Sequence, residues 1–200
     1  MIKIETPRNE KTFGAYFYGT KGAPAVPFLD KRGKNEYDYA MIVHEIPPLF
    51  DERSRVLILG SFPSPKSRAS GFYYGHPQNR FWRVLSAVLE EPFPQTIDEK
   101  KEMLLRRKIA LWDVIERCDI TGAGDNTIKN AVPNDFDTIE KKARIKVVFT
   151  TGRTATELYK KFTGKESRML PSPSPANCAT SIEKLIESYK EIIPYLEEEG

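Results

Sequence analysis

Apolar runs of strand length, alternating with amphipathic helical stretches, constrain this chain more than any other feature. "RVLILG" (55–60), "IALWDVIE" (109–116) and "RIKVVFTTG" (144–152) read as strands, and "SRMLPS" (167–172) as a short fourth. "RVLIL" in particular lacks polar alternation, which marks a buried strand. Helical periods lie between the runs. From Asn79 to Glu91, Phe81, Val84, Leu85, Val88 and Leu89 fall on one face. "IDEKKEMLLRRK" is charged outward, "RTATELYKKF" follows the third strand, and "TSIEKLIESYKEII" closes the chain. Thr180 and Glu183 have the spacing of a capping box at the start of that last helix. The alternation predicts an α/β fold: three layers, α/β/α, around a central, mostly parallel four-stranded sheet with right-handed crossovers.

In such a sheet the carboxyl ends of the strands open on one edge, where ligands bind. The segments arriving there are "GSFPS", "DVIERC", "TTGRT" and "LPSPSPAN", the oddest in composition. The first 43 residues differ, being rich in Phe, Tyr, Gly and Lys without helical period. They read as an N-terminal extension of unknown role, ahead of a domain over 44–200.

Two hundred residues suffice for one core. A net charge of +3 permits a polyanionic partner without requiring one. Cys118 and Cys178 have neither zinc-ligand nor scaffold spacing, so two reduced thiols and a cytoplasmic location are expected. No apolar stretch approaches the roughly 18 residues of a membrane span.

The connection after the first strand carries Ser61, Ser64, Ser67 and Ser70 beside Pro63 and Pro65, hydroxyls suited to phosphate oxygens or to a plain Ser-Pro link. "GFYYG" sets Phe72, Tyr73 and Tyr74 between glycines, a platform on which a planar base would stack. In an extended segment successive side chains alternate in direction, so not all three are expected in the core. "HPQN" brings His76 and Asn79 to a helix start. Asn79 reads as an N-cap or as an amide that orients a water. His76 reads as a base, a phosphate contact or a loop residue. Asp113 and Asn126 line a pocket or form a strand-end turn. The loop "SPSPAN" repeats the Ser-Pro theme in Ser172, Ser174 and Asn177. "TTGRT" offers helix-terminal amides to an anion. Phosphate-loop, dinucleotide and nucleophile-elbow motifs are missing.

These residues resemble the uracil-DNA glycosylase superfamily, most closely its hypoxanthine (deoxyinosine) DNA glycosylase branch. Mismatch-specific uracil glycosylases carry G-I-N-P-G and, 11 residues after its first Gly, G-F-P-F-A-H-P-x-N-R-F-W. Here "GSFPS" starts at Gly60 and "GFYYGHPQNRFW" at Gly71, the same spacing. The superfamily's last motif, H-P-S-P-L-S or N-P-S-G-L-S, is matched by "SPSPAN" (172–177), and the resemblance spans roughly residues 44 to 192. Two departures stand out. The Asp or Asn before the first proline is Phe62, and the His or Asn opening the last motif is Ser172. The hypoxanthine branch shows the same loss and places its key Asn in the H-P-x-N segment, here Asn79.

The resemblance therefore implies a monofunctional glycosylase that flips a deaminated base out of DNA. Asn79 would be catalytic, and Ser61, Phe62, Tyr74 and Ser172 would bind the base, with Tyr73 the other candidate for the stacking ring. Ser64, Ser67, His76, Ser174, Pro175, Ala176 and Asn177 would contact phosphates or the groove. Lys66 is read as a solvated phosphate contact. No metal or organic cofactor is implied. The expected partner is DNA containing deaminated bases, met by a monomer near the nucleoid. A lesion-binding protein without cleavage is the alternative.

Overall fold

The computed structural model describes residues 41–197. The extension read over 1–43 lies outside them except for its last three residues. Strands β2 (Val56–Gly60), β3 (Ile109–Asp113), β6 (Val147–Thr151) and β7 (Arg168–Leu170) form a wholly parallel sheet in the order β3-β2-β6-β7. Every residue of β2 and β3 is buried, as apolar runs flanked by helices require. The register pairs Gly60 with Asp113, and Thr151 with Leu170, so the carboxyl ends finish level.

The helices are α1 (Pro65–Ser70), α2 (Phe81–Val88), α3 (Ile97–Arg106), α4 (Asp137–Glu140), α5 (Arg153–Thr163) and α6 (Ile182–Tyr189). α2 packs on α6, α3 against β3 and α5 against β6, giving the expected α/β/α arrangement. The apolar face of α2 buries Phe81, Trp82, Val84, Leu85 and Val88, each contributing about 1.5 to 3 kcal/mol on burial.

Four local expectations change. The run 109–116 is not one strand. At Val114 the chain leaves the parallel sheet, and β4 (Ile115–Asp119) joins β1 (Ile42–Val43) and β5 (Lys129–Pro133) in a small antiparallel sheet, β1-β4-β5. The continuous apolar character of "IALWDVI" hides the break because both halves are buried. Val114 N donates to Gly60 O and Ile115 N to Ser61 O, which fastens the turn to the end of β2.

The Ser-Pro connection is largely helix. Ser64 caps α1, accepting from Ser67 N at 3.2 Å, Pro65 opens it, and Gly71 closes it at φ 68°. The last helix starts one residue later than expected: Ser181, not Thr180, accepts from Lys184 N. The capping box sits instead on α3, between Thr96 and Glu99.

Finally, Phe72 and Tyr73 are both buried. The segment coils through turns, so the alternation of an extended chain does not apply. Phe72 stacks on Trp82, Trp82 Nε1 donates to Tyr73 O, and Tyr73 Oη donates to Pro47 O at 2.8 Å.

Candidate active site

A cavity of about 400 Å³ opens at the carboxyl ends of the parallel strands, between the segment 60–67, the 3₁₀ turn Asp125–Thr127 and the loop 172–177. It takes a residue from each strand end anticipated above: Gly60, Asp113, Thr151 and Ser172. A larger concavity of about 690 Å³ lies around Arg144–Val148 and Lys165–Arg168. Its Lys165 and Arg168 are in ion pairs with Glu140 and Glu191, and it lies away from the Ser-Pro loops.

Tyr74 and Asn79 line the 400 Å³ cavity from the segment before α2. Tyr74 has a φ of 51°, the left-handed region that bulky residues rarely enter, at a cost on the order of 1 to 3 kcal/mol. Two contacts hold it there. Its ring stacks on Phe81 with centroids 3.8 Å apart and planes 11° from parallel, and its hydroxyl bonds Thr151 Oγ1 at 3.0 Å. Burial keeps that hydroxyl protonated far above the usual phenol range. Asn79 Oδ1 accepts the Phe81 N–H at 2.9 Å. Asn79 is thus not the N-cap that the sequence suggests: Arg80 takes that position without a side-chain cap, because α2 begins at Phe81 and Asn79 lies one residue before the cap. Asn79 bonds the first helical N–H through one lone pair, and its Nδ2 donors remain for a ligand, since none bonds a described residue.

Ser61 and Phe62 are buried at the cavity wall. The Ser61 hydroxyl donates to Asp125 Oδ2 at 2.7 Å, so it positions a carboxylate before it meets any ligand. The Phe62 ring meets His44 edge-on at 5.6 Å and carries the Arg68 guanidinium over its face at 5.4 Å. Ser64 and Ser67 also line the cavity. Ser67 is only 3 % exposed and its hydroxyl accepts Gly75 N–H, which directs it to holding the loop rather than to phosphate. His76 lies off the cavity, its Nδ1 accepting from Gln78 N.

Across the opening, Pro175 and Ala176 form an exposed tip. Asn177 is tied back: Nδ2 donates to Ser172 O, and Oδ1 accepts from Thr180 Oγ1. One residue without a role in the sequence reading organises this loop. Arg80 donates from Nε to Pro173 O (3.3 Å), from Nη1 to Thr180 O (2.5 Å), and from Nη2 to Ser174 O (2.9 Å) and Asn177 O (2.8 Å). Its planar fork of five donors matches a ring of carbonyls that a lysine could not span. The signal was present in "NRFW", but only the tertiary fold brings the loop, about a hundred residues downstream, to that arginine.

The acidic lining was also under-read. Asp113 is 5 % exposed, and its Oδ2 has no hydrogen-bond partner. Burial, together with the negative charge of Asp125, raises its pKa to about 7. Burial raises Asp125 as well, and the Ser61 hydroxyl partly offsets this. Gly60 is required here by close approach: a Cβ would lie 2.3 Å from Asp113 Oδ1 and 3.4 Å from Tyr74 Oη. Behind the site Asn134 Nδ2 donates to Asp113 O and to His44 Nε2. Among the described residues no group of three or more His, Cys, Asp or Glu side chains is placed to hold a metal ion, and no helix is long and apolar enough to cross a membrane.

Comparison with known proteins agrees with this geometry. The model of the Uracil DNA glycosylase superfamily matches residues 47–197. A hypoxanthine DNA glycosylase of Methanosarcina barkeri is 38% identical over 136 residues, 66% of this chain and 85% of its own length. One from Methanosarcina acetivorans is 35% identical over 141 residues, 68% of this chain and 89% of its own. A solution NMR structure of a protein from M. acetivorans superposes with a TM-score of 0.67 at 30% identity, covering 80% of this chain and all of that one. The chain belongs to the uracil-DNA glycosylase superfamily.

Proposed function

We propose that this protein is a monofunctional DNA glycosylase that hydrolyses the N-glycosidic bond of a deaminated base flipped out of DNA, with deoxyinosine the favoured substrate and uracil or xanthine secondary. One observation carries the reading: Asn79 and Tyr74 meet Ser172 in a cavity of about 400 Å³ at the carboxyl edge of the sheet. Similarity to proteins named hypoxanthine DNA glycosylases supports the choice of base.

The base leaves the duplex because its glycosidic bond is out of reach inside the stack. Tyr74, stiffened by Phe81 and Thr151, stacks on it. Ser64 and Ser174 meet the flanking phosphates, and the exposed Pro175–Ala176 tip fills the space that the base vacates. As the bond breaks, positive charge develops on the sugar. Asn79 holds a water beneath it, fixed in orientation by the Phe81 N–H. An amide is a poor base, so its work is orientation, and a fixed dipole of this kind contributes about 3 to 4 kcal/mol. Lys66 lies exposed on α1 outside the cavity, which favours hydrolysis over a lyase step.

The test is single-turnover cleavage of a duplex holding one deoxyinosine, with a uracil duplex alongside, by wild type and Asn79→Ala. Release of hypoxanthine by wild type, with strand breaks only after alkali, and a large loss in Asn79→Ala are expected. Equal rates would refute the role of Asn79. Lesion binding without cleavage by wild type would replace the enzyme with a reader of damage.

A further inference from the structure

We propose that Asp113, paired with Asp125, is the general acid of this site and delivers its proton to N7 of the departing purine. This inference rests on the glycosylase reading and names a group that the reading lacks. Asn79 orients water, but an amide has no proton to give a leaving base. Phe62 and Ser172 supply none at neutral pH either.

The geometry selects Asp113. It ends β3 at the cavity wall, and its Oδ2 is buried without a partner, a group left for a ligand to satisfy. Asp125 faces the same cavity from the 3₁₀ turn, with Oδ2 fixed by the Ser61 hydroxyl. Two carboxyl groups lining one cavity disfavour each other's ionisation, and Asp113, the more deeply buried and with Oδ2 unpartnered, keeps the proton. The other titratable groups around it are the Tyr73 and Tyr74 hydroxyls, both held neutral by burial. The neighbouring position on β2 is Gly60, which has no side chain, and His44 behind Asn134 is neutral. No cation in this set competes for the Asp113 carboxylate.

The step balances. The C1′–N9 bond breaks and its electron pair goes to the purine. The Asp113 proton moves to N7, so the base departs neutral rather than as an anion. The water held by Asn79 forms the C1′–O bond, and the proton it releases restores Asp113.

The experiment is the pH dependence of single-turnover hypoxanthine release from deoxyinosine duplex by wild type, Asp113→Asn and Asp125→Asn. Wild type should hold its rate below pH about 7 and lose tenfold per unit above it, because the acid form is the active one. Asp113→Asn, an isostere of the neutral acid that has no proton to transfer, should be slower by roughly 10²- to 10⁴-fold without that break. It should bind lesion duplex at pH 6 within about threefold of wild type, which reports an intact site. Asp125→Asn removes the neighbouring charge and should move the break to lower pH. A rate and profile in Asp113→Asn equal to wild type, or an unmoved break in Asp125→Asn, overturns the assignment. If wild type releases no hypoxanthine at any pH, the glycosylase reading falls and takes the acid with it. A cleaving wild type indifferent to Asp113 sinks the acid alone.

Discussion

Replacing Asp113 by Asn should make the fold more stable at pH 8 than the native chain while changing it little at acid pH. Burial and Asp125 lift the Asp113 carboxyl from 3.8 to about 7, so between those values the folded chain binds a proton that the unfolded chain has released. Stability from this group is therefore full below pH about 4 and is lost as pH rises through 7. The shift of about three units corresponds to about 4 kcal/mol in total, of which about 2 to 3 kcal/mol falls between pH 5 and pH 8. Asn cannot ionise, so its profile should lack that decline. Urea unfolding at pH 5 and pH 8, followed by tryptophan fluorescence, reads the difference. Every other ionisable group is shared by the two proteins and cancels to first order. The m-value should stay constant, since the surface exposed on unfolding is the same. Parallel wild-type and Asp113→Asn profiles between pH 5 and 8 would refute the idea that Asp113 is buried as a neutral acid.

Two further outcomes follow from the same geometry. Arg80→Ala should weaken binding of lesion duplex about tenfold and expose residues 172–180 to protease, because each charged hydrogen bond to a loop carbonyl contributes roughly 1.5 to 3 kcal/mol. Arg80→Lys should not restore either property, and full rescue by lysine would show that charge alone matters. His44 is held neutral by burial, its pKa lowered from 6.5 to about 4. Its contribution is present above pH 6.5 and lost as pH falls toward 4, on the order of 3 kcal/mol. His44→Gln should shift the acid unfolding midpoint downward, and an unchanged midpoint would show that His44 carries no such load.

How much of the site was legible varies residue by residue. Asn79 was readable as the Asn of a matched motif, while its reading as the helix N-cap missed by one residue, since Arg80 takes that position. Its Oδ1 still serves the Phe81 N–H while Nδ2 remains available. Tyr74 was readable as a ring on a glycine-flanked turn, though the sequence did not indicate that Phe81 would clamp it. Asp113 was noticed as a strand end and left ambiguous, and Asp125 passed unremarked in "GAGDNT". Nothing local distinguishes a surface aspartate from one beneath a cavity. Arg80 carried no reading of its own, since nothing local in "NRFW" shows which carbonyls its guanidinium will meet.

The sequence by itself determined the parallel sheet, the helices between its strands and the edge on which the unusual loops gather. It did so because hydrophobic period and strand-length apolar runs are local properties that burial must satisfy. The split of 109–116 into two sheets, the clamp of Arg80 on a loop about a hundred residues away, and the burial of Asp113 beside the cavity that Asp125 also lines were decided only by the tertiary structure. Each depends on groups distant in sequence meeting where water is excluded. There an unpaired carboxyl, a charged fork or a free carbonyl acquires an energy that neighbours in the chain cannot assign.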